Sequence, residues 1–263
     1  MTPTVPADDR GLLLGDGLFE TLLWEDGGLV DPDLHWARLA RGCQELGLPA
    51  PSGLDCDRAC FEAVRRAELR EERAAVRLTV TAGSGGRGLE RPVRLAPRLF
   101  ATAAFAAPPE GPVRLAFSSV VRNEGSPASR LKTLSYLDSV LARREALAAG
   151  ADEALMLNAA GEIACASAAN VFWFDGEALC TPALDCGVLD GIVRGRVIEA
   201  ARALGLTVRE VRANVAALKA ATGLFLTNSL IGLRPVESLE GGAVAADPRV
   251  AELARAVGVR TRA

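Results

Sequence analysis

Residues 129–146 read SRLKTLSYLDSVLARREA. The chain has 263 residues and 30 lysines plus arginines, yet lysine occurs only at Lys132 and Lys219, and Tyr136 is the sole tyrosine. A chain that otherwise carries its positive charge on arginine places a lysine just ahead of an apolar helical pattern, LSYLDSVLARREALAAG. Lysine can lose its proton and act as base or nucleophile, because burial lowers its pKa from about 10.4, whereas arginine stays charged. A neutral amine can hold a carbonyl compound as a Schiff base. The pattern predicts a helix over 134–149 whose positive N-terminal dipole would further favour the neutral amine of Lys132. The alternative, a solvated surface lysine, fits Lys219, which precedes Ala220 and Ala221 at a helix end.

Composition narrows the function. Hydrophobic residues make up 49% and charged residues 24%, a globular balance, and the net charge of −3 argues against a general nucleic-acid surface. No apolar run reaches the roughly 18 residues a membrane span needs, and the opening MTPTVPADDR has no signal-like segment behind it, so a cytoplasmic protein is expected. Cys43, Cys56, Cys60, Cys165, Cys180 and Cys186 form no C-x-x-C pair, so buried free thiols are expected rather than a zinc site. The single histidine, His35, sits in DPDLHWARLARGCQELG. That segment reads as a helix capped by Asp31, opened by Pro32 and ended by Gly47, which makes His35 a helix-surface or core residue. Proton chemistry then falls to Lys132.

Along the chain, FETLLWEDGGLV reads as strand and turn, with Asp26-Gly27 as the turn signal. The helix just described follows, and a second spans about 55–70. AVRLTV and RLFATAAF read as strands around a glycine-rich loop. Pro108-Pro109-Glu110-Gly111-Pro112 breaks the pattern. Beyond it, strands (VRLAFSSV, EALMLN, NVFWF, LTVREV, GLFLTN) mix with helices at about 134–149, 192–204 and 214–221. Two α+β domains are expected: a smaller one over 1–107, a linker over 108–112, and a larger one over 113–263.

A Schiff-base cofactor carrying a phosphate would need an anion site. GVLDGIVRGRV puts Gly191 immediately before a predicted helix, where the amides of Ile192 and Val193 point outward. FLTNSL places Thr227, Asn228 and Ser229 at a strand end. Arg38 could add a charged bidentate contact, although taken singly it reads as a solvated helix arginine.

These segments together resemble the class IV, fold-type IV pyridoxal-phosphate enzymes: branched-chain and D-amino-acid aminotransferases and aminodeoxychorismate lyases. The resemblance runs from GDGLFETLLWEDG through HWARLARGCQELGLP, SRLKTLSYLDSVLARREA, ADEALMLNAAGEIACASAANVFWF and GVLDGIVRGRV to FLTNSLIGLRPV. It implies a small N-terminal α/β domain, a larger C-terminal domain with a mixed, barrel-like sheet, pyridoxal 5′-phosphate between the two, and a homodimer acting on a small amino-acid-like substrate. By resemblance Lys132 forms the Schiff base and moves the α-proton. Arg38 and the amides of Ile192 and Val193 hold the phosphate, beside Gly191, Asn228 and Ser229. Leu189 packs on the cofactor ring, and Tyr136 lies near a position where some members place a tyrosine on the ring hydroxyl, at a different spacing from the lysine.

One position departs from the family. Where members place a glutamate facing the pyridine nitrogen, this chain has Cys165. Glu162, three residues earlier, should point to the opposite side in a regular strand. A carboxylate keeps that nitrogen protonated and the ring a strong electron sink; a thiol does so less firmly. Transamination needs the full sink, while an elimination tolerates a weaker one. RLTVTAGSGGRGLE also resembles a loop common among aminodeoxychorismate lyases, and its Arg87 either reaches a substrate carboxylate or sits on a mobile surface turn. The expectation is a lyase converting 4-amino-4-deoxychorismate to 4-aminobenzoate and pyruvate. A class IV aminotransferase and a non-catalytic relative are the alternatives.

Overall fold

The structure, a computed structural model, describes residues 4–258 and 261–262. Contacts divide them into two compact units, one of residues 4–108, 131–135 and 261–262, the other of 109–130 and 136–258. Residues 131–135 thus leave the C-terminal stretch in which the sequence places them and join the first unit.

In the first unit, α1 (Arg10–Leu14) is followed by β1 (Gly17–Glu25), β2 (Gly28–Val30), α2 (Pro32–Glu45), α3 (Gly53–Arg66), β3 (Ala74–Thr81) and β4 (Arg98–Phe105). The strands form an antiparallel sheet in the order β14-β2-β1-β3-β4, where β14 is Thr261–Arg262. Asp26 and Gly27 both have positive φ, 50° and 75°, the geometry that lets a two-residue turn match the twist of a hairpin. Leu18, Leu22 and Trp24 alternate along β1 and pack with Trp36, Leu39 and Cys43 of α2 and with Cys56, Cys60 and Val64 of α3. Asp31 stands at the α2 N-cap with φ 51° and makes no side-chain cap bond, so Pro32 sets the start of this helix.

Strand β2 flanks only the far end of β1, and residues 131–135 take the place beside its near end. Phe19 N–H donates to the Lys132 carbonyl at 2.9 Å, Leu134 N–H to that of Gly17 at 3.1 Å, and Leu18 faces Thr133. This pairing corrects the expected 134–149 helix, which begins only at Leu137. Lys132 therefore lies in a turn whose carbonyl pairs with β1, five residues ahead of that helix rather than at its N-terminal end.

The second unit contains β5 (Val113–Phe117), α4 (Pro127–Arg130), α5 (Leu137–Ala148), β6 (Glu153–Leu157), β7 (Ile163–Ala166), β8 (Asn170–Asp175), β9 (Ala178–Pro182), α6 (Ile192–Ala203), β10 (Thr207–Val211), β11 (Thr222–Asn228), β12 (Gly232–Leu239), β13 (Gly242–Ala243) and α7 (Pro248–Val257). Its mixed sheet runs β10-β9-β8-β11-β12-β5-β6-β7, with β13 beside β12, and curls so that β7 packs near β8 and β9. The run Phe172-Trp173-Phe174 is apolar without alternation because both faces of β8 are covered. Trp173 enters one core cluster, and Phe172 and Phe174 enter another with α6 and α7. The helix expected at 214–221 is only a 3-10 turn, Val215–Leu218.

All six cysteines are buried free thiols. No helix among the described residues is long and apolar enough to cross a membrane.

Candidate active site

In the first unit, Lys132 lies on the sheet face opposite α2 and α3. Its Nζ stands 4.2 Å from the centre of the Phe19 ring, and the guanidinium carbon of Arg77, from β3, lies 3.5 Å from the same ring. Burial pushes the Lys132 amine down to about 8. The negative charge of Glu20 opposes that shift, while Arg38 and Arg77 reinforce it. An amine with that pKa is about one-tenth neutral at pH 7, far more than an ordinary lysine, and the neutral form is the one that attacks a carbonyl.

Glu20 is the residue that reading the sequence missed. It points from β1 toward α2, with a side chain only 1% exposed, and accepts from His35 Nδ1 at 2.7 Å, Arg38 Nε at 2.8 Å and Arg38 Nη2 at 2.5 Å. Burial alone raises a carboxyl pKa. Here the charge of Arg38 and the bonds from Arg38 and His35 outweigh burial and hold Glu20 at about 2. Burial pushes the His35 imidazole below its ordinary value despite Glu20, so the neutral ring donates through Nδ1. A signal was present in the sequence: Glu20 follows Phe19 on β1, and His35 and Arg38 are spaced i, i+3 on one face of α2.

The glycine loop of residues 83–90 is pinned. Buried Arg10 donates to the carbonyls of Glu90 at 2.9 Å and Leu89 at 3.0 Å, with longer contacts to Gly88 and Gly85 at 3.4 and 3.5 Å. Its Nε holds Asp16 at 2.9 Å, and Asp16 in turn holds Arg91. Gly86 has φ 81°, and a Cβ there would lie 2.1 Å from the Glu90 carbonyl oxygen, so the backbone passes itself too closely for any side chain. Arg87 is exposed at the tip.

In the second unit, Gly191 is the N-cap of α6, and no side chain caps the amides of the first turn, including those of Ile192 and Val193. A Cβ on Gly191 would strike Asn170 Oδ1 at 2.0 Å, and Asn170 Nδ2 donates to the Leu189 carbonyl at 2.9 Å. Asn170 faces Thr227 in the β8–β11 register. Thr227 Oγ1 is buried with no hydrogen-bond partner. An unsatisfied hydroxyl, an uncapped helix start and a close glycine turn are what a phosphate group would complete. Asn228 is committed to its own turn: it accepts from Leu230 N and Ile231 N at 2.9 Å and donates to the Ala168 carbonyl at 3.0 Å. It shapes the turn carrying half-buried Ser229. Half-buried Tyr136 is the N-cap residue of α5, in this unit.

Cys165 lies buried on β7, and burial pushes its thiol up, with the Arg122 charge opposing and that of Glu153 adding. Neither neighbouring carboxylate is available to it. Glu162 accepts from Asn158 Nδ2 at 2.8 Å and pairs with Arg212. Buried Glu153 takes Arg143 Nη1 at 2.5 Å, the Ala154 amide at 2.8 Å, and the amide and hydroxyl of Ser167.

The sequence model for amino-transferase class IV matches residues 17–239. The chain belongs to the class IV aminotransferase family. Aminodeoxychorismate lyase of Bacillus subtilis is 29% identical over 88% of this class IV chain and 80% of its own. A candidate branched-chain-amino-acid aminotransferase of Methanocaldococcus jannaschii is 33% identical over 89% and 82%. The crystal structure of a candidate 4-amino-4-deoxychorismate lyase from Legionella pneumophila superposes with a TM-score of 0.90 at 30% identity, covering 96% of this chain and 94% of that one. Class IV aminotransferases are pyridoxal-phosphate-dependent enzymes acting on small amino-acid-like substrates, and the two-unit α+β architecture described above is theirs. Within the first unit the lowered Lys132 amine, and within the second the orphaned Thr227 hydroxyl and the uncapped start of α6, each suit one part of that cofactor: its aldehyde and its phosphate.

Proposed function

We propose that this class IV enzyme is an aminodeoxychorismate lyase. The observation that carries the reading is Cys165: a buried neutral thiol whose neighbouring carboxylates are both engaged elsewhere. Similarity to two lyases supports it, and similarity to a branched-chain aminotransferase keeps transamination as the second reading.

Bound pyridoxal phosphate supplies an electron-withdrawing ring that acidifies the C–H beside the substrate nitrogen. Lys132 is its attachment point. In the second unit the first-turn amides of α6 at Ile192 and Val193, with Thr227 and Ser229, would take the phosphate and Leu189 would pack on the ring; Arg38, in the first unit, is the phosphate arginine that the family resemblance implies. The Lys132 amine, in its neutral form, would take the proton from the amino-bearing carbon of the substrate. The bond from the adjacent carbon to the enolpyruvyl oxygen would then break, the carbocycle would become aromatic, and the departing enolpyruvate would take up a proton and ketonise to pyruvate. That driving force lets the elimination proceed beside a thiol where transamination would call for a carboxylate. Arg77, held over Phe19 next to Lys132, is placed to take a substrate carboxylate, and Arg87 on the pinned loop is a second candidate.

The test is a product assay. The purified, cofactor-loaded enzyme should release pyruvate and 4-aminobenzoate in equal amounts from 4-amino-4-deoxychorismate and transfer amino groups to 2-oxoacids far more slowly. Transfer to 2-oxoacids without pyruvate release assigns the aminotransferase reading instead.

A further inference from the structure

Lys132, Arg38, Arg77, His35 and Glu20 lie in one unit, and Glu20 is the only carboxylate among them. Its charge is not exposed to water: the side chain is 1% accessible, with two Arg38 nitrogens and His35 Nδ1 on its two oxygens. An ordinary core would avoid a buried ion pair, because desolvating two charges costs several kcal/mol before their attraction returns any of it. What the pair does is local. Bidentate contact fixes the plane of the Arg38 guanidinium, and the His35 contact fixes its tautomer with the proton on Nδ1.

The charged and titratable groups facing this spot come from five segments. From β1 comes Glu20, from α2 Arg38 and His35, from α3 the Cys56 thiol, from β3 Arg77, and from the 131–135 segment Lys132. With Glu20 ionised, one of the two guanidinium charges that bear on Lys132 is neutralised. Without it, both act on the amine.

We infer that Glu20 is a positioning residue that locks Arg38 and His35 through its hydrogen bonds and holds the charge beside Lys132 in balance. It touches neither substrate nor cofactor in this role; it acts through Arg38 and through its field at Lys132. The inference rests on the reading of Lys132 as the attachment point.

The test is the pH midpoint of the visible absorbance change of the cofactor-loaded protein, which reports the proton on the lysine-linked nitrogen. Removing an anion disfavours that proton, so Glu20→Gln should move the midpoint down by about one pH unit. Arg38→Gln should move it up, the Glu20→Gln/Arg38→Gln double variant should return it close to wild type, and Glu20→Asp should keep it within a few tenths of a unit. A Glu20→Gln protein that binds cofactor with an unmoved midpoint overturns the inference. Should that variant not accumulate, the double variant decides: a midpoint near wild type supports a balancing role, and one equal to that of Arg38→Gln excludes it. Failure of the Lys132 reading looks different, as a visible band that survives Lys132→Ala.

Discussion

Arg38 Nε lies 2.8 Å from Glu20 Oε1, and the two residues come from different elements, α2 and β1. Arg38 is thus already half of an ion pair. Any anion it binds is held by a guanidinium whose plane is set in advance, so little side-chain entropy is lost on binding.

This pair also makes acid stability predictable. The Glu20 carboxyl is held at about 2 against an ordinary 4.5, so the folded state binds fewer protons than the unfolded chain between these values. Its contribution is complete above the unfolded pKa and disappears as pH falls through the folded one. For a group this buried the shift corresponds to about 3 kcal/mol, an order-of-magnitude figure. Urea unfolding of the wild type from pH 5 down to 2 should show this loss, and Glu20→Gln should flatten the slope across the same window.

The Lys132 amine, lowered to about 8, should govern how fast cofactor is taken up by protein stripped of it. The uptake rate at fixed pyridoxal phosphate should rise with a midpoint near that pH and level off above it. A midpoint near the ordinary lysine value of about 10.4 would mean the amine is solvated. Borohydride reduction should fix the cofactor on the tryptic peptide carrying Lys132, and Lys132→Ala should yield no such adduct.

Thr227 separates stability from ligand binding. Its buried hydroxyl has no partner, so Thr227→Val should leave the cofactor-free protein as stable as wild type or slightly more so by thermal unfolding. The same variant should hold cofactor about tenfold more weakly, the equivalent of about 1.4 kcal/mol for one lost hydrogen bond. Gly191→Ala behaves differently. Its Cβ displaces Asn170 and breaks the contact to Leu189, so stability should fall by about 1–3 kcal/mol along with cofactor retention.

Cys165→Glu places a carboxylate where the thiol is. The ratio of amino transfer to pyruvate release should rise at least severalfold, measured on the same preparation with a 2-oxoacid acceptor present. An unchanged ratio removes the thiol as the reason for favouring elimination.

Arg10→Ala deletes a clamp on the carbonyls of the glycine loop without touching Arg87. Tryptic cleavage after Arg87 should accelerate. Where Arg87 reads a substrate carboxylate, KM should rise while kcat holds, because a loosened loop spends binding energy on ordering itself.

Local order was legible in the sequence because its causes are local. Asp26-Gly27 forces a hairpin wherever it stands between two strand-forming runs, and Pro32 opens α2 whatever packs against it. The glycine ahead of Ile192 marked a helix start able to receive an anion. The chemical singularity of Lys132 was visible for the same reason, as a departure in residue type. The tertiary structure decided the surroundings of that lysine. Its segment looked like the start of a helix, yet the unpaired near edge of β1 took it as a strand partner, since backbone groups left open on a sheet edge find the nearest chain able to satisfy them. Glu20, 15 and 18 residues before His35 and Arg38, gained its meaning only when a strand and a helix stacked side chain on side chain. Charges act through distance in space, and no spacing along the chain reports that distance until the sheet and helices have packed.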